Sequence, residues 1–360
     1  MPNKRLPTLK IGKLNINPPF ILGGMGVRIT NHKIVAAVAN LGMAGTIASV
    51  GLCDRKCASE DYAEESSKAL SNEIRSARKL SKGIIGVNIM YALTNYDKLV
   101  KTAVKEKADY IITGAGLPLK LPELVGNSTI CLIPIVSSVK AARIIIKRWM
   151  QHYNRLPDAM IVEGAKAGGH LGISKDEIPS WDDETLLQIC IELVQLFKGY
   201  EKATGKHIPV IAAGGVFDGK DVAKYLNAGI EGVQIATKFL ATEECDAPEA
   251  FKQAVIDSKK EDMLIIDSPV GLPGRVIRNK FVKKIMNNEK IPVNCPYHCL
   301  KTCKPDTTPF CIAEALVNAQ EGDIDNGIIM AGYNAYKLKA VVPVKTLVDE
   351  LVKETIENIK

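Results

Sequence analysis

The chain has 360 residues, 46% of them hydrophobic and 5% aromatic, with a formal net charge of +7. That apolar content can bury a large core, which excludes disordered and fibrous classes and suits one big domain or a domain with a cap. No run of about 18 apolar residues occurs, and the basic residues 1–10 are followed by no apolar signal-peptide core, so a cytoplasmic protein is expected, with neither membrane nor nucleic acid as partner.

Short runs rich in Ile and Val recur along the first 240 residues: 19–24, 44–49, 83–90, 108–116, 130–138, 158–164, 208–215 and 232–240. They are continuously apolar rather than alternating, as expected of parallel strands covered on both faces. Between them lie segments with helical spacing, among them Ile34-Val35-Val38-Ala39, Leu99-Val100-Ala103-Val104, Ala142-Ile145-Ile146-Trp149 and Leu186-Ile189-Cys190-Leu193. Eight βα units over roughly 240 residues predict a closed (β/α)8 TIM barrel, whose function gathers where strands end and βα loops begin.

The strand ends supply the candidate site residues in chain order. Strand one ends in Gly23-Gly24-Met25-Gly26, which exposes backbone to a planar ligand. Strand three presents Asn88, able to donate and accept hydrogen bonds. Loop six, Glu163-Gly-Ala-Lys-Ala-Gly168-Gly169-His170-Leu-Gly172, sets an imidazole behind a glycine pair, where it can serve as acid, base or electrostatic partner. His32, His152 and His207 read as structural. After strand seven, Gly214-Gly215 precedes a helix with Asp218 as N-cap; after strand eight, Ala236-Thr237 offers an amide and a hydroxyl. In barrels, the loops after strands seven and eight form the recurring phosphate site.

The chain divides into a barrel (1–262), a cap (263–326) and a closing segment (327–360). The cap opens on a Pro- and Gly-punctuated loop, 268–274, and ends with a helix near 311–320; a last helix at 344–359 returns to the barrel wall. Residues 275–304 hold eight Lys or Arg against one acid, Glu289, which is either a solvated face or a landing surface for an anionic partner. Of nine cysteines, Cys53, Cys57, Cys131, Cys190 and Cys245 are scattered, as reduced thiols would be. The other four, Cys295, Cys299, Cys303 and Cys311, crowd the cap around His298. Their spacing is neither a paired knuckle nor a ferredoxin run, so no metal is assigned; a reduced, packed or redox-labile thiol group is expected, with a structural metal or iron–sulfur site as the alternative.

Six motifs carry a resemblance: Gly-Gly-Met-Gly at 23–26, Val-Asn-Ile-Met at 87–90, Ile-Thr-Gly-Ala-Gly at 112–116, Glu-Gly-Ala-Lys-Ala-Gly-Gly-His-Leu-Gly at 163–172, Ala-Ala-Gly-Gly-Val at 212–216 and Gly-Val-Gln-Ile-Ala-Thr-Lys-Phe at 232–239. Together they resemble the nitronate monooxygenase (2-nitropropane dioxygenase) family, which also contains flavin-dependent enoyl-acyl-carrier-protein reductases. The resemblance implies a nucleotide-binding flavoprotein with FMN. Its ring would lie near Gly24, Met25 and Asn88 and its phosphate near Gly214, Gly215, Ala236 and Thr237, with His170 as the histidine beside the flavin. Two departures blur the subgroup: Ala236-Thr237 stands where the family often has Gly-Thr, and Arg28 brings a cation to the loop after strand one.

Four functions follow as expectations. The first is oxidative denitrification of an alkyl nitronate with O2. The second is NAD(P)H-dependent reduction of an enoyl thioester, for which the basic cap speaks because acyl carrier protein and coenzyme A are anionic. An inosine-monophosphate-dehydrogenase-like barrel would need a nucleophilic cysteine on loop six, where His170 stands. A non-enzymatic flavin or nucleotide carrier is the fourth.

Overall fold

The computed structural model describes residues 5–53, 61–295 and 298–360; Cys57 lies outside them. Eight parallel strands form one sheet: β1 (Phe20–Leu22), β2 (Gly45–Ala48), β3 (Ile85–Asn88), β4 (Tyr110–Thr113), β5 (Cys131–Val136), β6 (Met160–Glu163), β7 (Val210–Ala213) and β8 (Gly232–Ile235). They pair in the order β1-β8-β7-β6-β5-β4-β3-β2. The remaining seam is bridged where Leu22 N donates to Ala44 O (2.9 Å) and Ala44 N to Phe20 O (3.1 Å). The predicted (β/α)8 barrel is thus observed, with all eight strands inside the apolar runs that announced them.

The barrel interior is a packed core. Tyr110, Ile112, Ile133, Ile161 and Ile211 meet side chains of an N-terminal hairpin, Leu9–Ile11 with Leu14–Ile16. This hairpin was not anticipated: each arm has only three residues, too short to register as a strand by apolar run length. Tyr110 is fully buried, and its hydroxyl donates to Gly45 O at 2.8 Å. A Cβ on Gly86 would fall 2.3 Å from the Tyr110 ring, so only glycine fits beside it. We expect Gly86→Ala to cost about 1–3 kcal/mol by overpacking, read as a lower Tm in thermal unfolding; an unchanged Tm would show that the ring moves aside freely.

The outer wall begins with His32–Asn40, Tyr62–Leu80 and Tyr96–Lys105 and continues with Val139–Tyr153, Asp183–Thr204 and Gly219–Asn227. Asp218 caps the last of these, accepting from the amides of Lys220 and Asp221 (3.0 Å each). The final helix, Val344–Asn358, packs against both Gly219–Asn227 and His32–Asn40, and so fills the wall between the seventh and first units. The fit is close: a Cβ on Gly219 would meet Thr355 N at 2.4 Å.

Over the mouth lies an antiparallel hairpin, Met263–Asp267 with Pro273–Ile277, whose turn is the Pro- and Gly-rich loop. Its second strand pairs with Gly169–His170 of loop six, joining Gly274 to His170 and Arg275 to Gly169. The basic stretch 275–304 is therefore only partly a surface. Arg275 is 5% exposed and donates to the carbonyls of Ala165 (2.7 Å) and Ala167 (3.1 Å). Arg278 pairs with Asp262 and Lys280 with Asp325, while Lys283, Lys284, Lys290 and Lys304 are exposed. Among the described residues no helix is long and apolar enough to cross a membrane.

Candidate functional site

A cavity of about 250 Å³ opens at the carboxyl ends of the strands, and every residue nominated from the sequence lines it: Gly23, Gly24, Met25, Asn88, Gly168, Gly169, His170, Gly214, Gly215, Ala236 and Thr237. Its floor is built by glycines for steric reasons. A Cβ on Gly24 would sit 2.6 Å from Asn88 Cβ, and one on Gly23 would sit 2.9 Å from Ala236 Cβ. The end of β1 therefore lies flat between its neighbours and leaves backbone facing the cavity.

On one side the turns after β7 and β8 converge. Gly214 (φ +86°) and Gly215 (φ +110°) take left-handed conformations that side chains rarely adopt. Thr237 opens the short 3-10 helix Thr237–Ala241, leaving amides at its start free. The two turns are joined by a third segment: Gly332 N donates to Thr237 Oγ1 (2.9 Å), and Asn334 Nδ2 donates to Gly215 O (2.8 Å). Met330 and Ala331 of that segment line the cavity. Sequence reading placed it in the closing segment without a role, although an apolar run ending in glycine at 327–332 was a usable signal.

Loop six forms the adjoining wall: a Cβ on Gly214 would meet Gly164 O at 2.7 Å, and one on Gly215 would meet Lys166 Cβ at 3.2 Å. Gly168 packs so closely on the third segment that its Cβ would meet Gly332 N at 2.5 Å. His170 Nε2 lies 2.8 Å from Ser268 Oγ in the cap hairpin's turn. Ser268 Oγ also accepts the amide of Val270 (3.4 Å), which fixes the hydroxyl oxygen beside the ring. Burial lowers the His170 pKa from 6.5 to about 4. The ring is thus neutral at neutral pH. Ser268 escaped that reading because nothing local links a turn serine to a histidine 98 residues earlier.

Two further residues were missed. Glu163 ends β6 and lines the cavity, and burial raises its carboxyl from 4.5 to about 8, so it is mostly protonated at neutral pH. Gln234, on β8, lines the cavity with its Oε1 buried and unpaired. Both stood inside quoted motifs; a carboxylate closing an apolar run was the available clue. Because the folded protein binds the Glu163 proton more tightly than the unfolded chain, its contribution to stability is full below pH 4.5 and is lost as pH rises through about 8. In apoprotein, Glu163→Gln should flatten the fall of Tm between pH 5 and pH 8; an unaltered slope would mean that the carboxyl titrates normally.

The remaining histidines are tied elsewhere: His32 to Glu73 (2.8 Å) and His207 to Glu231 (2.9 Å) and Glu201 (3.2 Å), with His152 beside Arg148 on the outer wall. Arg28 is held by the backbone, its guanidinium donating to the carbonyls of Gly51 and Cys53 at the cavity edge. Lys166 is paired with Asp183 at 2.7 Å. Above the floor the roof is apolar, with Val270, Leu300, Ile312, Leu316 and Val317 drawn from the cap.

Comparison with known proteins agrees with this architecture. The family model described as nitronate monooxygenase matches residues 7–354. A probable nitronate monooxygenase of Staphylococcus aureus (strain JH9) is 27% identical over 315 residues, covering 77% of this chain and 79% of that one. Among solved structures, FabK from Thermotoga maritima superposes with a TM-score of 0.71 at 27% identity, covering 94% of this chain and 93% of that one. A nitroalkane oxidase from Streptomyces ansochromogenes gives a TM-score of 0.72 at 20% identity, with 97% of each chain covered, which bears on the fold alone. With the family model matching nearly its whole length, the chain belongs to the nitronate monooxygenase family and is an oxidoreductase.

Proposed function

We propose that the chain is an FMN-dependent oxidoreductase that oxidises alkyl nitronates with O2 to carbonyl compounds and nitrite. The observation that carries this reading is the convergence of the β7 and β8 turns at a cavity that a neutral histidine also lines. The site's chemistry fits FMN. Left-handed Gly214 and Gly215, with Ala236 and Thr237, would hold the phosphate through amides and a hydroxyl. The flat floor at Gly23, Gly24 and Met25 suits a planar ring, and the unpaired Oε1 of Gln234, with Asn88, offers polar groups to a ring edge.

Bound FMN would supply the electron acceptance and the reaction with O2. The chain's own residues position and hold protons. Ser268 fixes the imidazole through Nε2, which leaves Nδ1 to meet a ligand. Glu163, mostly protonated, can donate a hydrogen bond without adding a negative charge near an anionic substrate. The apolar cap roof would shield the reacting groups from bulk water.

A second reading, NAD(P)H-dependent reduction of an enoyl thioester, is favoured by the apolar roof and by the exposed Lys283, Lys284, Lys290 and Lys304, a surface to which acyl carrier protein or coenzyme A could dock. Steady-state assays separate the two. Nitrite release from an alkyl nitronate with no nicotinamide requirement is expected; NAD(P)H oxidation that depends on an enoyl thioester, with no nitrite formed, would replace the first reading by the second.

A further inference from the structure

The catalytic reading leaves one cluster of reactive side chains without a role. Cys295, Cys299, Cys303 and Cys311 come from the stretch between helices Lys280–Met286 and Ile312–Gln320, whose described residues form no helix or strand. It is tied to the barrel by backbone hydrogen bonds, such as Thr94 N to Cys299 O (3.0 Å) and Lys301 N to Ala92 O (2.9 Å), by Lys301 Nζ, which donates to Tyr91 O (2.7 Å), and by buried Leu300 and Phe310. A long irregular segment with so little secondary structure needs another source of order. All four thiols line one void of about 20 Å³, together with His298. None is in a disulfide.

The sulfur atoms are already addressed by donors. His298 N donates to Cys295 Sγ (3.3 Å), and Glu314 N donates to Cys311 Sγ (3.5 Å). Cys311 is also the N-cap of Ile312–Gln320, where the helix dipole favours a thiolate over a thiol. Among the described residues, no three ligating side chains are gathered closely enough in this arrangement to hold an ion, so the thiols would have to draw together around one. A site of this kind closes only as metal displaces protons, because the ligand is the thiolate.

We propose that Cys295, Cys299, Cys303 and Cys311 are the four ligands of a soft-metal centre, a zinc ion or an iron–sulfur cluster, that braces the roof of the cavity. On binding, each Sγ–H bond is exchanged for an Sγ–metal bond and the proton leaves to solvent. The coupling to the site is direct, since Cys299, Leu300, Ile312 and Ala313 line both the void and the large cavity. A closed centre would fix these roof residues, and its loss would loosen them.

The test is the metal content of the full chain purified anaerobically without chelator, with acid-labile sulfide and reactive thiols counted on the same sample. Stoichiometric zinc without sulfide identifies a single ion. Iron and sulfide in equal amounts, with a paramagnetic signal after dithionite reduction, identify a cluster and are not masked by flavin absorbance. In either case the four thiols should resist a thiol reagent until the metal is removed, and Cys303→Ser and Cys311→Ser should each lose the metal. The proposal is overturned if the chain carries no stoichiometric metal as isolated or after anaerobic reconstitution with zinc or with iron plus sulfide. It is equally overturned if both serine variants keep the metal of the parent, which would then be adventitious. The parent's own metal count needs no variant and stands even if a serine variant fails to fold.

Discussion

Thr237→Val combined with Gly215→Val will yield protein that has lost FMN. Gly215 sits at φ +110°, where a β-branched residue cannot follow the native turn, and its Cβ would press on Lys166 Cβ at 3.2 Å. Valine at 237 removes the hydroxyl that accepts from Gly332 and is free to donate to a phosphoryl oxygen. A hydrogen bond to a charged group contributes about 1.5–3 kcal/mol, so losing two weakens FMN binding by about 10²- to 10⁴-fold. The measurement is flavin absorbance of the purified variant and the Kd from titration of its apoprotein, with circular dichroism to confirm folding. A folded double variant that stays yellow would remove these turns from the phosphate site.

His170→Ala will leave the flavin bound and lower kcat by about 10²- to 10⁴-fold, the range of a lost proton-handling group. The effect falls on turnover because His170 is not among the residues that would hold the phosphate, and its imidazole is fixed by Ser268 of the cap hairpin's turn. The folded-state pKa of about 4 also sets the sign of its pH behaviour. The folded protein binds this proton less tightly than the unfolded chain, so the associated stability is present above pH 6.5 and is lost as pH falls through about 4. An undiminished kcat in His170→Ala would reduce the imidazole to a packing group.

The eight strands were legible because parallel strands covered on both faces must be apolar throughout, and the barrel core at Ile112, Ile161 and Ile211 shows why. The glycines of the site were legible for a related reason: Gly24 against Asn88, and left-handed Gly214 and Gly215, are places where no other residue fits. What escaped depends on long-range pairing. The cap strand Pro273–Ile277 hydrogen-bonds to Gly169–His170, and Ser268 reaches His170, across about a hundred residues of intervening chain. No local pattern encodes such a register. Burial also changed the chemistry of residues already in view: Glu163 was read past as part of a motif, and His170 was read as a group titrating near neutrality, because a side chain's own composition does not reveal the enclosure that moves its pKa.

The basic stretch illustrates a different limit. Eight cations in 30 residues suggested a surface, yet Arg275 is buried beneath loop six and holds the carbonyls of Ala165 and Ala167 in place. Its guanidinium also lies 5.4 Å from the Tyr333 ring, so one residue links loop six, the cap hairpin and the segment that joins the two glycine-rich turns. Charge counted along a chain does not distinguish a solvated lysine from an arginine used as an internal brace.

Titrating the apoprotein with FMN and, in parallel, with riboflavin isolates the contribution of the phosphoryl group, since the two ligands share the same ring and ribityl chain. Convergence of the β7 and β8 turns on that group predicts that FMN binds at least about 10²-fold more tightly, the equivalent of two charged hydrogen bonds. Equal affinity for the two ligands would contradict it.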